Sequence, residues 1–376
     1  MNKADCNKLD QYIRNVQEDL HRIPEPAFKE EQTASYIARE LKRMGYFVKT
    51  GIAGTGVTAT MPGKKNYPCV AVRADMDCIT HEDGGKITYR HSCGHDAHSS
   101  IALGIAKHFS ENREAITGSI VFIFQPAEEI MQGAKAMTDE GVLKDVDVLI
   151  GYHLRTEEEC PMGSMAPALM HSATTIVSGE IKGKTAHGGR PHHGVNVIDV
   201  MATLLSAVNT IRSNPQSGTS ITFTRISAGG GSLNVIPGSA TFALDIRSRD
   251  NEELNRVISN LDSIFQNCAA MHDAKITYSI EGAVPAPRYS GRLIEEARES
   301  IEAVLGKGKA IPPIVTPGGE DFHYYTALSD VEAVYLGIGA NVSPGLHDPA
   351  MTFEKKSLVD AVQVVSHLMG QLMKQK

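Results

Sequence analysis

The chain has no excess of positive charge, no long apolar run and no repeated unit. Its 376 residues carry 37 Lys plus Arg against 44 Asp plus Glu, a formal net charge of -7. That balance argues against nucleic acid as the main partner, which calls for a basic face. A few local arginines can still hold a small anion. No stretch approaches the roughly 20 apolar residues of a membrane span, so no membrane partner is expected. Met1 to Asp10 is polar and mixed in charge, without an apolar signal region, which reads as a cytoplasmic protein. Low-complexity tracts are missing too. The six cysteines, Cys6, Cys69, Cys78, Cys93, Cys160 and Cys268, are scattered. In a long chain without a signal segment they do not read as a disulfide framework.

What is present suits a sizeable globular protein. Hydrophobic residues make up 41% and charged residues 22%, enough to bury a core and stay in solution. The length corresponds to two or three domains. Fifteen histidines, several in tight clusters, tilt the reading toward metal chemistry.

Leu9, Tyr12, Ile13, Val16 and Leu20 form one helical stripe, and Ala34, Ile37, Leu41 and Met44 a second. Short apolar runs at 56–61, 69–72, 119–124 and 146–150 read as strands, with a helix following His98. Apolar strands alternating with amphipathic helices predict an α/β sheet covered on both faces. From Ser172 to about Ala283 the order becomes βαββαβ, a small α/β sandwich flanked by Pro167, Pro285 and Pro287. The chain then returns to α/β, with helices at 291–305 and 356–373. The expected division is therefore 1–171 with 286–376, interrupted by an inserted 172–285 domain.

Four clusters bear on chemistry. Arg73-Ala74-Asp75-Met76-Asp77 follows an apolar strand and, alone, reads as a solvated turn. His91-Ser92-Cys93-Gly94-His95-Asp96-Ala97-His98 is hard to explain by packing. Cys93 as thiolate, together with His95, suits zinc or a neighbouring transition metal rather than magnesium. Asp96 or Asp77 is expected to orient a histidine from behind. Glu128-Glu129 closes the strand that ends in Phe124-Gln125. Adjacent acids repel, and a cation explains the pair: one carboxylate binds it while the other takes a proton from an activated water. By itself this pair reads equally well as acids at a helix start. His153 and His347 are lone histidines that gain weight only beside the other clusters. His81, His192, His193 and His323 are expected mostly at the surface.

Taken together, these runs and the Gly151-Tyr152-His153 segment resemble the M20 metallopeptidase clan, in particular its amidohydrolase branch of hippurate, auxin-conjugate and N-acyl amino acid hydrolases. The likeness extends through Gly183 to Gly189, Pro191 to Asn196, Gly229 to Pro237, Gly319-Glu320-Asp321-Phe322 and Leu346 to Phe353. It implies a zinc-peptidase-like α/β catalytic domain with an inserted ferredoxin-like lid or dimerisation domain. It also implies two divalent metal ions per subunit (Zn, Mn, Co or Ni). Cys93, His95, Glu129, His153 and His347 match the ligands, with Cys93 between the ions. Glu128 matches the base, His187 the oxyanion donor, and Asn234 and Arg247 positions near the substrate's polar end. The activity implied is cleavage of an N-acyl amino acid to a carboxylic acid and an amino acid, by a homodimer formed through the inserted domain. A dipeptidase or carboxypeptidase using the same centre, a ligand-binding protein on this scaffold, and a nucleophilic Cys93 stay open as alternatives. The sequence departs from the pattern at Cys78-Ile79-Thr80-His81 and Gly188-Gly189-Arg190, where substrate contacts would fall.

Overall fold

The computed structural model describes residues 3–65 and 67–374, without the side chains of residues 3–5. Two helices open the chain, α1 (Lys3–His21) and α2 (Glu31–Arg43). Strands β1 (Phe47–Ile52), β2 (Gly56–Met61) and β3 (Cys69–Asp75) follow, then the hairpin β4 (Ile79–Asp83) and β5 (Lys86–Arg90). Next come α3 (His95–Glu111), β6 (Ser119–Gln125), α4 (Gly133–Asp139), β7 (Val148–Thr156), β8 (Met165–Ala166) and β9 (Leu169–Met170). A second run comprises β10 (Ala173–Lys182), β11 (Ala186–His187), α5 (Val197–Val208), β12 (Ser220–Ala228), β13 (Val235–Ile236), β14 (Ser239–Ser248), α6 (Asn251–Met271) and β15 (Lys275–Val284). The chain ends with α7 (Gly291–Leu305), β16 (Ile314–Val315), α8 (His323–Leu328), β17 (Glu332–Val342) and α9 (Lys356–Leu372).

These elements form two compact units, one of residues 1–170, 288–315 and 320–376, the other of residues 171–287 with 316–319. The first is built on a seven-stranded sheet in the order β1-β2-β6-β3-β7-β17-β8. Its centre is parallel: β3 runs with β6 and β7, and β7 with β17. Alternation along these strands sends side chains to two cores. Val70, Val72, Ala74, Ile120, Phe122 and Phe124 join the core that includes Ile13, Ile101 and Val362. Cys69, Ala71, Val121 and Ile123 join the other, with Met137, Phe322 and Tyr325. Burial on both faces is why these strands read as continuous apolar runs.

The second unit has a four-stranded antiparallel sheet in the order β12-β14-β10-β15. Helix α5 buries Val197, Val200, Met201, Leu204 and Val208, and α6 buries Leu254, Val257, Leu261, Phe265 and Cys268. Spacings of three and four residues put each set on one helix face, against Val177, Phe242, Leu244 and Ile246. The order β10-α5-β12-β14-α6-β15 is the ferredoxin-like βαββαβ arrangement.

Local differences from the sequence expectations have physical causes. Helix α3 begins at His95, not after His98, because Gly94 at φ 88° lets the chain turn directly from Cys93 into the helix. His323, expected at the surface, is fully buried. Asp75 and Asp77, read as a solvated turn, have no exposed surface at all. Among the described residues no helix is long and apolar enough to cross a membrane.

Candidate metal centre

The parallel strands β3, β6 and β7 carry or lead into the polar clusters near their carboxyl ends, where α/β sheets place ligands. Asp75 closes β3, Glu128 and Glu129 lie just past β6, and His153 lies in β7. His347, at φ 69°, comes from the loop after β17 and is tied back by its backbone N–H to the Ser92 carbonyl at 2.7 Å.

Five expected ligands and the expected base converge. Cys93 Sγ lies 3.4 Å from His153 Nε2 and 3.4 Å from His347 Nε2. His95 Nε2 lies 3.6 Å from Glu129 Oε1 and 3.9 Å from Glu128 Oε2, and His347 Nε2 lies 3.8 Å from Glu129 Oε2. Cys93, His95 and His153 form one group whose ligand atoms lie within 4.8 Å of one another, and Cys93, Glu129 and His347 form another. Cys93 is common to both.

Ring orientation points these nitrogens at the centre. His95 Nδ1 donates toward the Asp77 carbonyl at 3.0 Å and Asp77 Oδ1 at 3.2 Å, leaving Nε2 to face Glu128 and Glu129. His153 Nδ1 donates to the Leu154 carbonyl at 2.7 Å, which frees its Nε2. Asp77 Oδ2 also accepts the Glu129 backbone N–H at 3.0 Å, so one buried aspartate fixes two of the expected ligands. Asp96 does not share that task. It accepts from Gln17 Nε2 at 2.8 Å and pairs with His21 Nδ1 at 2.7 Å.

The electrostatics test whether cations fit. Burial pushes the Cys93 thiol well above its ordinary value and the Glu129 carboxyl up to about 7. Glu128 is raised well above its usual range by burial, then by Glu320, Glu129 and Asp321. Burial, with His98 and Arg155 nearby, holds His153 well below the normal imidazole value. His95 goes the other way: burial opposes its charge, but Asp75, Cys93 and Asp77 outweigh it. His95 Nε2 and Glu129 Oε1 are buried without a hydrogen-bond partner. Thiolate, imidazole and carboxylate donors crowded this closely, with orphaned atoms facing one another, fit divalent cations, which would reverse the raised values.

Two supports were not legible in the sequence. Glu30 is buried, accepts the Ala127 backbone N–H at 2.9 Å and accepts from Thr55 Oγ1 at 2.5 Å. It thereby braces Ala127, whose φ of 55° turns the chain from β6 toward Glu128. Arg73, with 1% of its surface exposed, donates to Asp75, Gln125, Glu320 and Asp321.

The three remaining candidates belong to the other unit. His187 on β11 is exposed, and its Nδ1 accepts from Gly189 N–H at 2.9 Å, which leaves the proton on Nε2. Asn234 is exposed, and its backbone carbonyl accepts from Gly188 N–H at 2.7 Å. The Arg247 guanidinium is engaged by both Asp245 oxygens at 2.9 Å and by the Pro317 carbonyl.

A cysteine sulfur common to two donor groups, beside the half-buried Glu128 carboxylate, defines a candidate dinuclear metal centre. The chain belongs to peptidase family M20/M25/M40, whose model matches residues 71–371. It is 28% identical over 370 residues to the N-acetyl-L-cysteine deacetylase of Bacillus subtilis, covering 96% of this chain and 88% of that one. It is 26% identical over 381 residues to IAA-amino acid hydrolase ILR1-like 2 of Arabidopsis thaliana, covering 97% and 86%. Among solved structures, the Bacillus subtilis YXEP protein, described as a dinuclear metal binding peptidase of the M20 family, superposes with a TM-score of 0.83. The identity there is 25%, with 98% of this chain and 100% of that one covered.

Proposed function

We propose that this chain is a metal-dependent amidohydrolase that cleaves the amide bond of an N-acyl amino acid, or a related conjugate, into a carboxylic acid and an amino acid. The observation that carries the proposal is the pair of donor groups sharing Cys93, with the Glu128 carboxylate in neither of the two and 3.9 Å from His95 Nε2. A protein that only bound ligand would have no use for a second, uncommitted carboxylate at that position. The relatives named as a deacetylase and an amino acid conjugate hydrolase support the same reading.

When bound, two divalent cations supply Lewis acidity that acidifies a water and polarises an amide carbonyl. The donor set suits zinc, manganese, cobalt or nickel, and its thiolate disfavours magnesium. Cys93, His95 and His153 would hold one ion, and Cys93, Glu129 and His347 the other. Glu128 takes the proton of the attacking water on its carboxylate and returns it to the departing amine nitrogen. In the metal-free chain burial and the acidic neighbours Glu320, Glu129 and Asp321 raise the Glu128 carboxyl; bound cations would lower it again and keep the carboxylate free to take that proton. His187 as oxyanion donor, Asn234 and Arg247 at the substrate's polar end, and dimerisation through residues 172–285 are retained from the family resemblance. Single substitutions, scored by kcat and KM, and sedimentation test them.

The deciding experiment is amine release from a panel of N-acyl amino acids and dipeptides by metal-reconstituted protein, with Glu128→Gln alongside. Turnover of an N-acyl amino acid, falling by about 10²–10⁴-fold in the variant while two ions stay bound, is expected. Dipeptides cleaved in preference would favour the dipeptidase reading, and wild-type-like turnover in Glu128→Gln would remove Glu128 from its role.

A further inference from the structure

The ligand atoms of Asp75, His95 and His98 also lie within 4.8 Å of one another, which at first sight makes His98 another metal ligand. Its hydrogen bonds say otherwise. His98 Nδ1 lies 2.7 Å from Asp75 Oδ1, and its Nε2 accepts the Leu154 backbone N–H at 3.1 Å. A neutral imidazole has one donor and one acceptor nitrogen. The carboxylate fixes the donor at Nδ1 and the amide fixes the acceptor at Nε2, so no lone pair remains for an ion.

Contacts to the His98 backbone and ring show what the residue does. Tyr152 donates its hydroxyl to the His98 carbonyl at 3.0 Å. Both chain neighbours of His153 are therefore tied to His98, and the two imidazole centroids stand 4.6 Å apart at an angle of 67°. Behind His98, the second Asp75 oxygen accepts from Arg73 Nη1 at 2.6 Å. Arg73 is in turn held by Gln125 at 2.8 Å and by Asp321 at 2.8 Å. A buried polar chain thus runs from Asp321 through Arg73, Asp75 and the His98 ring to the Leu154 backbone N–H, next to His153.

We infer that His98 is a positioning residue for the metal ligand His153, locked in one tautomer by Asp75 and, through Asp75, by Arg73. The inference rests on the metal reading above. Polar partners behind a ligand typically change metal affinity by about 10–100-fold when removed. His98→Phe keeps a ring of similar size but neither hydrogen bond. It should weaken one of the two ions by about 10–100-fold and leave the other within a few-fold of wild type. Equal affinity for both ions in wild type and His98→Phe overturns the inference.

Because that variant leaves Asp75 and the Leu154 amide unpaired, a second measurement uses the wild-type protein. Loaded with an NMR-active cadmium isotope and labelled with heavy nitrogen in its histidines, it should show cadmium coupling at His95, His153 and His347. His98 should show none and should keep its proton on Nδ1. Cadmium coupling at His98 overturns the inference and makes it a ligand. Fewer than two cadmium ions bound by wild-type protein would instead overturn the functional reading itself, so the two failures are distinct.

Discussion

Both units are α/β layers with a sheet against helices, yet they differ in how many ionisable residues they bury. In the larger unit Arg73, Asp75, Asp77, His95, Asp96, His98, Glu320 and Asp321 each expose 2% or less of their surface. In the smaller unit the core is Val177, Ile181, Leu204, Phe242, Leu244 and Phe265, and pairs such as Lys182–Glu180 and Arg247–Asp245 keep access to water. Burying a charge costs several kcal/mol per ion, so apolar residues are often the more stabilising choice. A fold that still concentrates buried charge along one sheet edge does so for what that edge must hold.

The largest expected break in this contrast is Arg73→Met. Removing the guanidinium leaves Asp75, Glu320 and Asp321 buried without their cation, so unfolding free energy should fall by about 3–5 kcal/mol in denaturant titrations. A loss under about 1 kcal/mol would mean that water reaches the cluster. In the smaller unit the sensitive positions should be steric instead. A methyl group on Gly179 would meet the Phe242 ring at 2.1 Å, so Gly179→Ala should cost about 1–3 kcal/mol by overpacking. Thermal unfolding unchanged in that variant would show that the Phe242 ring can move aside.

The smallest expected effect is a pH dependence at His21. Its hydrogen bond to Asp96 raises its pKa above the ordinary 6.5, against the opposing effect of burial. A raised folded-state value means the stabilisation is full below pH 6.5 and is lost as pH climbs through the folded value. Replacing His21 with Gln should therefore flatten the fall in stability above pH 6.5. A steeper fall in the variant would mean that the folded protein lowers the His21 pKa below 6.5.

Much of this was legible in the sequence wherever one side of an element is uniformly apolar. The spacing in 291–305 gave the bounds of α7, and the βαββαβ order of the smaller unit follows from alternating runs. Strands β1, β4 and β5 escaped because they are short and largely exposed, so no buried face marks them. At the centre, Cys93 and His95 stood out because metal-type residues crowd one short segment. Asp77 was named beside Asp96 as a histidine-orienting acid, but Asp75 had no such role, because an acid just after a strand looks like any turn until Arg73 and His98 are seen facing it. Glu30 was invisible for the same reason: its partner Ala127 is distant in the chain and unremarkable in type. Sequence reveals donors that cluster locally and hides those assembled by the fold.

The most direct test of the shared-thiolate centre is a cobalt(II) titration of metal-free protein, followed by the near-ultraviolet thiolate-to-metal absorption. Cys93 lies in both donor groups, so the band should grow through the first and the second equivalent and vanish in Cys93→Ser. A band complete at the first equivalent, or one that persists in Cys93→Ser, would contradict the account.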